Sequence, residues 1–537
     1  MCIRDSNKGY KIYTTQNYEY QKIAESVFSD LNNVPYTRTN SKGETEQLQG
    51  AITIIDPYTG YVVAMVGGTG EKTTDRGWNW ATSVRPCGSA AKPISTYAPA
   101  LDQGIITGAS TIDDYPVLEL NDSPYPKNDN GRFQGLVTLR RALVQSLNTC
   151  AVRVNMMLGT WESYDFMTSR LGFTTLTQTD SEQVGAMALG GYANGVTTEE
   201  MAAAYGAFVN EGIYTKPRTF TRVEDSNGNV ILENEIQSNV AMKASTAALM
   251  NSILHDVVNG GTGSSANFSG MTLAGKTGTT NDMKDRYFVG YSPYYVGACW
   301  VGYESNSRVS SGGVNPAAIL WNKVMSQIHA GLENKNFFSS SDLVQVTVCA
   351  DSGMLATDSC AEDCRGSRVY SALVAADNAP SAYCGMHTSP IYTVTLEDEN
   401  GNVTEVLCEY DPDSRGGDPA DGRKVKGATI HWVDAATALD AEVRVYSELF
   451  SDPAPDGADK DFLACMNPDS LEVLSGCKVE PRMRDIAAAY DKTEKKGKTA
   501  PSFQFMRLGY FCLDNKDCTP EHLVFNRSVT LKDSFKK

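Results

Sequence analysis

Residues 271–304 read MTLAGKTGTTNDMKDRYFVGYSPYYVGACWVGYE. The last twenty positions form two aromatic and β-branched runs on either side of Ser292-Pro293, the pattern of an antiparallel hairpin. Lys276-Thr277-Gly278-Thr279 lies on a strand leading into it. A second hairpin, AITIIDPYTGYVVAMVGG at 51–68, turns through Pro-Tyr-Thr-Gly. Before it, YKIYT at 10–14 reads as a short strand followed by a helix. From about Lys92 to Gly212 helical patterns dominate, as in LRRALVQS at 139–146. Strands early, helices in the middle and strands late predict one sheet assembled from both ends and covered by helices.

The chain has 537 residues, 41% hydrophobic and 21% charged, which excludes wholesale disorder and allows several domains. No run approaches the roughly 20 apolar residues of a membrane helix. The start, MCIRDSNKGYKIYTT, lacks the apolar stretch of a signal peptide. Lys and Arg total 47 against 64 acidic residues, a net charge of −17, which argues against bulk nucleic-acid binding. Of 13 cysteines, Cys349, Cys360, Cys364 and Cys384 fall in one short segment. They suit two disulfides in an oxidising compartment or one zinc site in a reducing one. Their spacing forms no paired Cys-x-x-Cys knuckle, which favours disulfides. No cofactor or resident metal is expected.

Chemistry points to Ser89-Ala90-Ala91-Lys92. Positions i and i+3 of a helix share a face, so the hydroxyl and amine can meet. Serine needs a base to attack, and a buried lysine can serve when burial lowers its pKa. The spacing alone is weak, since Ser475…Lys478 and Ser534…Lys537 share it. Two further elements strengthen it: Ser146-Leu147-Asn148, 57 positions on, and Lys276-Thr277-Gly278, 130 positions beyond Ser146. Gly278 would let a substrate backbone lie against the strand edge. Ser265-Ala266-Asn267 lies too close to that strand to be independent and reads as loop.

Ser-x-x-Lys, Ser-x-Asn and Lys-Thr-Gly together are the signature of penicillin-binding proteins and class A β-lactamases. With RPCGSAAKPISTYAPALDQG at 85–104, the two hairpins and the tail VCADSGMLATDSCAEDCRG at 348–366, residues 8–390 closely resemble the transpeptidase region of class A penicillin-binding proteins. The resemblance implies an α/β (α+β) transpeptidase fold, an antiparallel sheet covered by helices. It also implies a D,D-transpeptidase that cross-links peptidoglycan stem peptides on the extracytoplasmic face of the cell envelope and is acylated by β-lactams. Ser89 would be the nucleophile, Lys92 its base and Ser146 the proton relay. Asn148 would hold the substrate amide, Lys276 would keep the field positive, and Thr277 and Thr279 would bind a carboxylate. The N–H groups of Ser89 and Thr279 would form the oxyanion hole. Cys87 stands where the family usually has proline, and reads as an inert buried thiol. The family's glycosyltransferase domain and membrane anchor are not seen, so only the transpeptidase reaction is expected.

From about Ile391, short β-rich runs such as VTEVLCEYD and AEVRVYSELF predict an all-β barrel or sandwich. GRKVKGATIHWV at 422–433 and FQFMRLGYFCLD at 503–514 closely resemble the C-terminal anticodon-binding β-barrel of glutaminyl-tRNA synthetase, a cytoplasmic family. The resemblance implies that Gln504 and Arg507 read an anticodon base, a vestigial tRNA contact at most. His431 reads as a structural strand residue, and 491–498 as a solvated basic loop. No synthetase catalytic motif is present, so no aminoacylation is expected. The expected organisation is a leader and linker at 1–48, a transpeptidase domain at 49–340, a cysteine-containing tail at 341–390 and a partial anticodon barrel at 391–537. Transpeptidases work outside the membrane and tRNA stays inside, so the chain reads as two genes joined near 388–398. MCIRDS matches neither family. Two alternatives remain open at this level: an RNA-binding module carrying an inert penicillin-binding relic, and a β-lactam sensor that acylates without turnover.

Overall fold

The computed structural model describes residues 9–387 except 41, 75, 121, 122 and 364, and then 393–395, 405–407, 433, 437–452, 455, 457, 461–490, 500–505 and 509–529. MCIRDS, Cys364, His431, the loop 491–498, Arg507 and most of 388–398 lie outside the described residues. The chain divides into two compact units, Met1–Thr388 and Ser389–Lys537.

The first unit is built on β1 (Gln49–Ile55), β2 (Val62–Val66), β3 (Ala274–Thr279), β4 (Asp285–Tyr291) and β5 (Val296–Gly302), in the order β3-β4-β5-β1-β2. Every pairing is antiparallel. The early and late parts of the chain meet where Trp300 pairs with Ala51. Both faces are covered, and the strands send apolar side chains to both sides. Tyr287, Val289 and Tyr291 face a core shared with α4 (Thr198–Val209) and α5 (Ala244–Asn259). Phe288, Ile52 and Ile54 face the opposite core, under α1 (Tyr18–Ser29) and α6 (Pro316–Ile328). Asn17 caps α1 by accepting from the N–H groups of Glu19 and Tyr20, and Thr197 and Glu200 form a capping box on α4.

Helix α2 (Leu139–Val144) and helix α3 (Asn148–Leu158) occupy the central segment, but that segment is less uniformly helical than its sequence suggests. Thr111–Asp114 pairs antiparallel with Gly135–Thr138. The intervening stretch is rich in Asn, Asp, Pro and Gly, which punctuate rather than propagate helix. Ser89 lies on a 3₁₀ turn, Gly88–Ala91, followed by a π turn, Pro93–Tyr97, and then α-helix over Ala98–Asp102. Pro93 and Pro99 bring no N–H, so one regular helix cannot run through.

In the tail, β6 (Leu343–Cys349) pairs with β7 (Val369–Ala375). It is tied to the body of the unit where Thr111 Oγ1 donates to the Ala350 carbonyl at 3.1 Å and Tyr370 donates to Ala109 at 3.2 Å.

The second unit holds β8 (Leu439–Tyr446), β9 (Leu471–Val479), β10 (Ser502–Phe505), β11 (Gly509–Leu513) and β12 (Leu523–Val529), with α7 (Arg482–Ala489) between β9 and β10. Their order is β9-β8-β12-β11-β10, with β8 and β12 parallel and the other pairs antiparallel. Strands β9 and β10 are left at the two edges, so the expected barrel is an open sheet among the described residues. Its core is small, centred on Val443, Phe511, Val524 and Phe525. Among the described residues no helix is long and apolar enough to cross a membrane.

Candidate active site

Three segments far apart in sequence converge, one of them β3 itself. The first is the turn carrying Ser89. Arg85, just before it, is fixed to the sheet: its Nε donates to Asp285 Oδ1 at 2.7 Å, and its guanidinium lies 5.0 Å from the Trp300 ring centroid. Tyr205 on α4 donates to the Ala90 carbonyl at 2.6 Å. In a 3₁₀ turn residues i and i+3 eclipse, which places Ser89 and Lys92 on one side.

The second segment is the break between α2 and α3. Ser146 adopts φ 60°, a left-handed conformation uncommon for a residue with a side chain. The turn points its hydroxyl between two buried lysines. Lys276 Nζ donates to Ser146 Oγ at 2.8 Å, and Lys92 Nζ lies 3.3 Å from the same oxygen. Lys92 also donates to the Ser146 carbonyl at 2.6 Å and to Asn148 Oδ1 at 2.7 Å.

Both lysines are fully buried. Burial, with the Lys276 ammonium close by, holds Lys92 well below the usual lysine range. Burial alone lowers Lys276 to about 7. A neutral amine has two N–H donors and one lone pair. Burial favours that neutral form at Lys92, the form a general base requires.

The third segment is β3. As an edge strand it pairs only with β4, and its other side meets the serine turn. A Cβ on Gly278 would lie 2.1 Å from the Cys87 carbonyl oxygen, and one on Gly88, at φ +55°, would lie 2.4 Å from the Thr279 carbonyl oxygen. Gly278 therefore seats the strand against the turn, and its space is filled by protein rather than left for substrate. Thr277 Oγ1 donates to Thr262 Oγ1 at 3.0 Å, which brings the Gly261–Asn267 loop to the site.

The structure thus brings together Lys92, Ser146, Asn148 and Lys276 by direct hydrogen bonds, and packs Gly278 and Thr279 against the turn of Ser89. Ser89 is half-buried, and its hydroxyl makes no hydrogen bond among the described residues. Burial pushes the Cys87 thiol up, consistent with an inert thiol. Gln504 is exposed on β10, in the other unit.

Sequence reading missed the support behind Asn148. Asn128 Oδ1 accepts from the Asn148 N–H at 2.8 Å, and Asn128 Nδ2 donates to Asp114 at 2.7 Å. Asp114, fully buried, also accepts from Gln134 N at 2.9 Å and from the Thr149 hydroxyl. The Asn148 carboxamide is engaged at both ends, with Oδ1 accepting from Lys92 and Nδ2 donating to the Lys127 carbonyl at 2.8 Å. No sequence motif marks Asp114 or Asn128.

Residues 50–325 match the family model of the penicillin binding protein transpeptidase domain, and 339–389 that of the penicillin-binding protein 1A C-terminal domain. Residues 429–514 match the anti-codon binding domain of class I tRNA synthetases for E and Q. Penicillin-binding protein 1A of Clostridium perfringens is 34% identical over 415 residues, covering 74% of this chain and 49% of that protein. The chain thus spans about half the length of that relative. Glutamine–tRNA ligase of Pseudoalteromonas atlantica is 52% identical over 141 residues, 26% of this chain and 23% of that protein. The crystal structure of penicillin-binding protein 1A from Haemophilus influenzae aligns with TM-score 0.58 at 19% identity, covering 70% of this chain and 73% of that chain, a likeness of fold.

Proposed function

Because the chain belongs to the penicillin binding protein transpeptidase domain family, matched over residues 50–325, we propose that it is a serine D,D-transpeptidase, acylated on Ser89, that cross-links peptidoglycan stem peptides outside the cytoplasmic membrane. The observation that supports this reading is the pair of buried amines, Lys92 and Lys276, on the Ser146 hydroxyl, with the turn that carries Ser89 packed against the Lys276 strand.

In this mechanism Lys92 takes the proton from Ser89 as its Oγ attacks the penultimate D-alanine carbonyl. The oxygen of that carbonyl becomes an oxyanion held by the N–H groups of Ser89 and Thr279. Ser146 passes the proton from Lys92 to the departing D-alanine nitrogen, and the C–N bond breaks. An amine of a second stem peptide then attacks the ester and gives up its proton along the same path, and Ser89 is restored. Lys276, charged, attracts the terminal carboxylate, with Thr277 and Thr279 as donors. β-Lactams enter the first half of this path and remain as the acyl-enzyme.

Fluorescent-penicillin labelling tests the assignment. Ser89→Ala should abolish the labelled band. Lys92→Met, near in shape, should slow acylation by on the order of 10²–10⁴-fold with the fold retained. Labelling of Ser89→Ala at the wild-type rate would refute it. Product analysis with two stem peptides then separates a transpeptidase from a sensor that acylates without turnover. For the second unit, the match at 429–514 supports at most a vestigial tRNA contact through Gln504 and Arg507.

A further inference from the structure

The tail brings four side chains from separate stretches to one point. Cys349 ends β6, Cys360 lies on the short helix Asp358–Ala361, and Cys384 and His387 follow β7. Their Sγ and ring nitrogen atoms all lie within 4.8 Å of one another. His387 Nδ1 is 3.3 Å from Cys349 Sγ and 3.4 Å from Cys384 Sγ. None of the three cysteines is in a disulfide. We propose that Cys349, Cys360, Cys384 and His387 form a four-coordinate structural site for one zinc ion that holds the tail together.

Three thiolates and an imidazole suit tetrahedral zinc better than harder cations. Zinc–sulfur bonds of about 2.3 Å in a tetrahedron put donors about 3.5–3.8 Å apart, inside the 4.8 Å that bounds the four atoms here. The surroundings match what such a site needs. Backbone N–H groups of Asp351, Thr357 and Met386 point at the sulfurs of Cys349, Cys360 and Cys384, at 3.4, 3.3 and 3.4 Å. The other ring nitrogen of His387 faces carboxylates, with Nε2 3.2 Å from Asp351 and 3.0 Å from Asp363. A proton on Nε2 frees Nδ1 to bind metal, the carboxylate–histidine arrangement of zinc proteins. Arg365 and Arg368 already pair with Asp351, so that carboxylate is a poorer ligand than the thiols. Cys349, Cys360 and Cys384 are at most 5% exposed, and the small cluster around them adds only Ala356 and Val369. So small a core needs a staple.

On binding, the three thiols release three protons to solvent as Zn–S bonds form. Sequence reading counted cysteines alone and so missed Cys384-Gly-Met-His387, a two-residue ligand spacing once histidine is included.

The test uses the full chain, purified with zinc and no oxidant, then dialysed. Elemental analysis should give one zinc per chain, and cobalt(II) exchange should give a thiolate-to-metal charge-transfer band. Cys360→Ala and His387→Ala should each lose the metal on dialysis, while Cys364→Ala keeps it. Less than about one zinc in five chains, or an intact mass two hydrogens lighter for a disulfide among these cysteines, would overturn the proposal. So would loss of zinc in Cys364→Ala with retention in His387→Ala. Because metal is counted directly, the result stands apart from whether Ser89 labels with penicillin.

Discussion

Replacing Gly278 with alanine tests whether the catalytic arrangement depends on how closely β3 sits against the serine turn. The added methyl would lie 2.1 Å from the Cys87 carbonyl oxygen and 2.8 Å from Tyr287 Cβ. The first distance is about 1.3 Å short of ordinary van der Waals contact, and both atoms belong to buried, rigid neighbours. Cys87 cannot yield alone, because Gly88 and Ser89 follow it directly. The strand and the turn must therefore separate by on the order of 1 Å, which carries the Ser89 and Thr279 N–H groups apart. A misplacement of about 1 Å costs on the order of 100-fold in rate. The overpacked contact also destabilises by about 1–3 kcal/mol. Stopped-flow labelling with a fluorescent penicillin gives the acylation constant, and thermal unfolding shows whether the variant is folded at the assay temperature. Acylation within about threefold of wild type in a folded Gly278→Ala protein would refute the reasoning, because the turn and strand could then not be coupled through that contact.

The other expectations concern charge, support and the junction. Burial lowers Lys276 to about 7, and only its charged form attracts a carboxylate. The second-order acylation constant should therefore fall as pH rises above 7, approaching tenfold per unit, and Lys276→Arg should remove that fall; a flat profile in wild type from pH 6 to 9 would sink this assignment. Asn128→Ala removes one partner of the buried Asp114 carboxylate and the anchor of the Asn148 N–H, so urea unfolding should report a loss of about 1–3 kcal/mol along with slower acylation. Wild-type stability and rate together would dismiss the support role. Limited proteolysis should cut within 388–398 and leave a fragment that still labels with penicillin, whereas loss of label on cutting would make the second unit part of the active site.

The sheet was readable because its central strands are dense in aromatic and β-branched residues and end in marked turns. DRYFVGY and VGACWVG carry enough aromatic and β-branched residues that burial on both faces follows from composition alone. That Lys92, Ser146, Asn148 and Lys276 would come together was readable because three short motifs in the right order are rare together. Their supports were not. Asp114 and Asn128 lie in a stretch of turn residues, where polarity normally means exposure, and only the fold shows that they are buried. Thr262 sits in a segment that reads as an ordinary loop. The role of Gly278 was misjudged for a related reason: a glycine in sequence shows that room is required, and only packing shows what fills it. In the second unit, strand-like runs were legible, but strand order depends on pairings between distant segments that no local pattern encodes.

Ser146 at φ 60° also bears on the history of the chain. Glycine reaches that backbone conformation freely, and asparagine more readily than serine does. A serine there is a standing burden on folding, on the order of 1 kcal/mol, that only its hydroxyl can justify. In a domain released from its chemistry, this position would be among the first to drift, since a change to glycine would go unpunished and even be rewarded by stability. In this chain two buried lysines contact that hydroxyl, so Ser146→Gly should raise stability while removing the oxygen on which both amines converge.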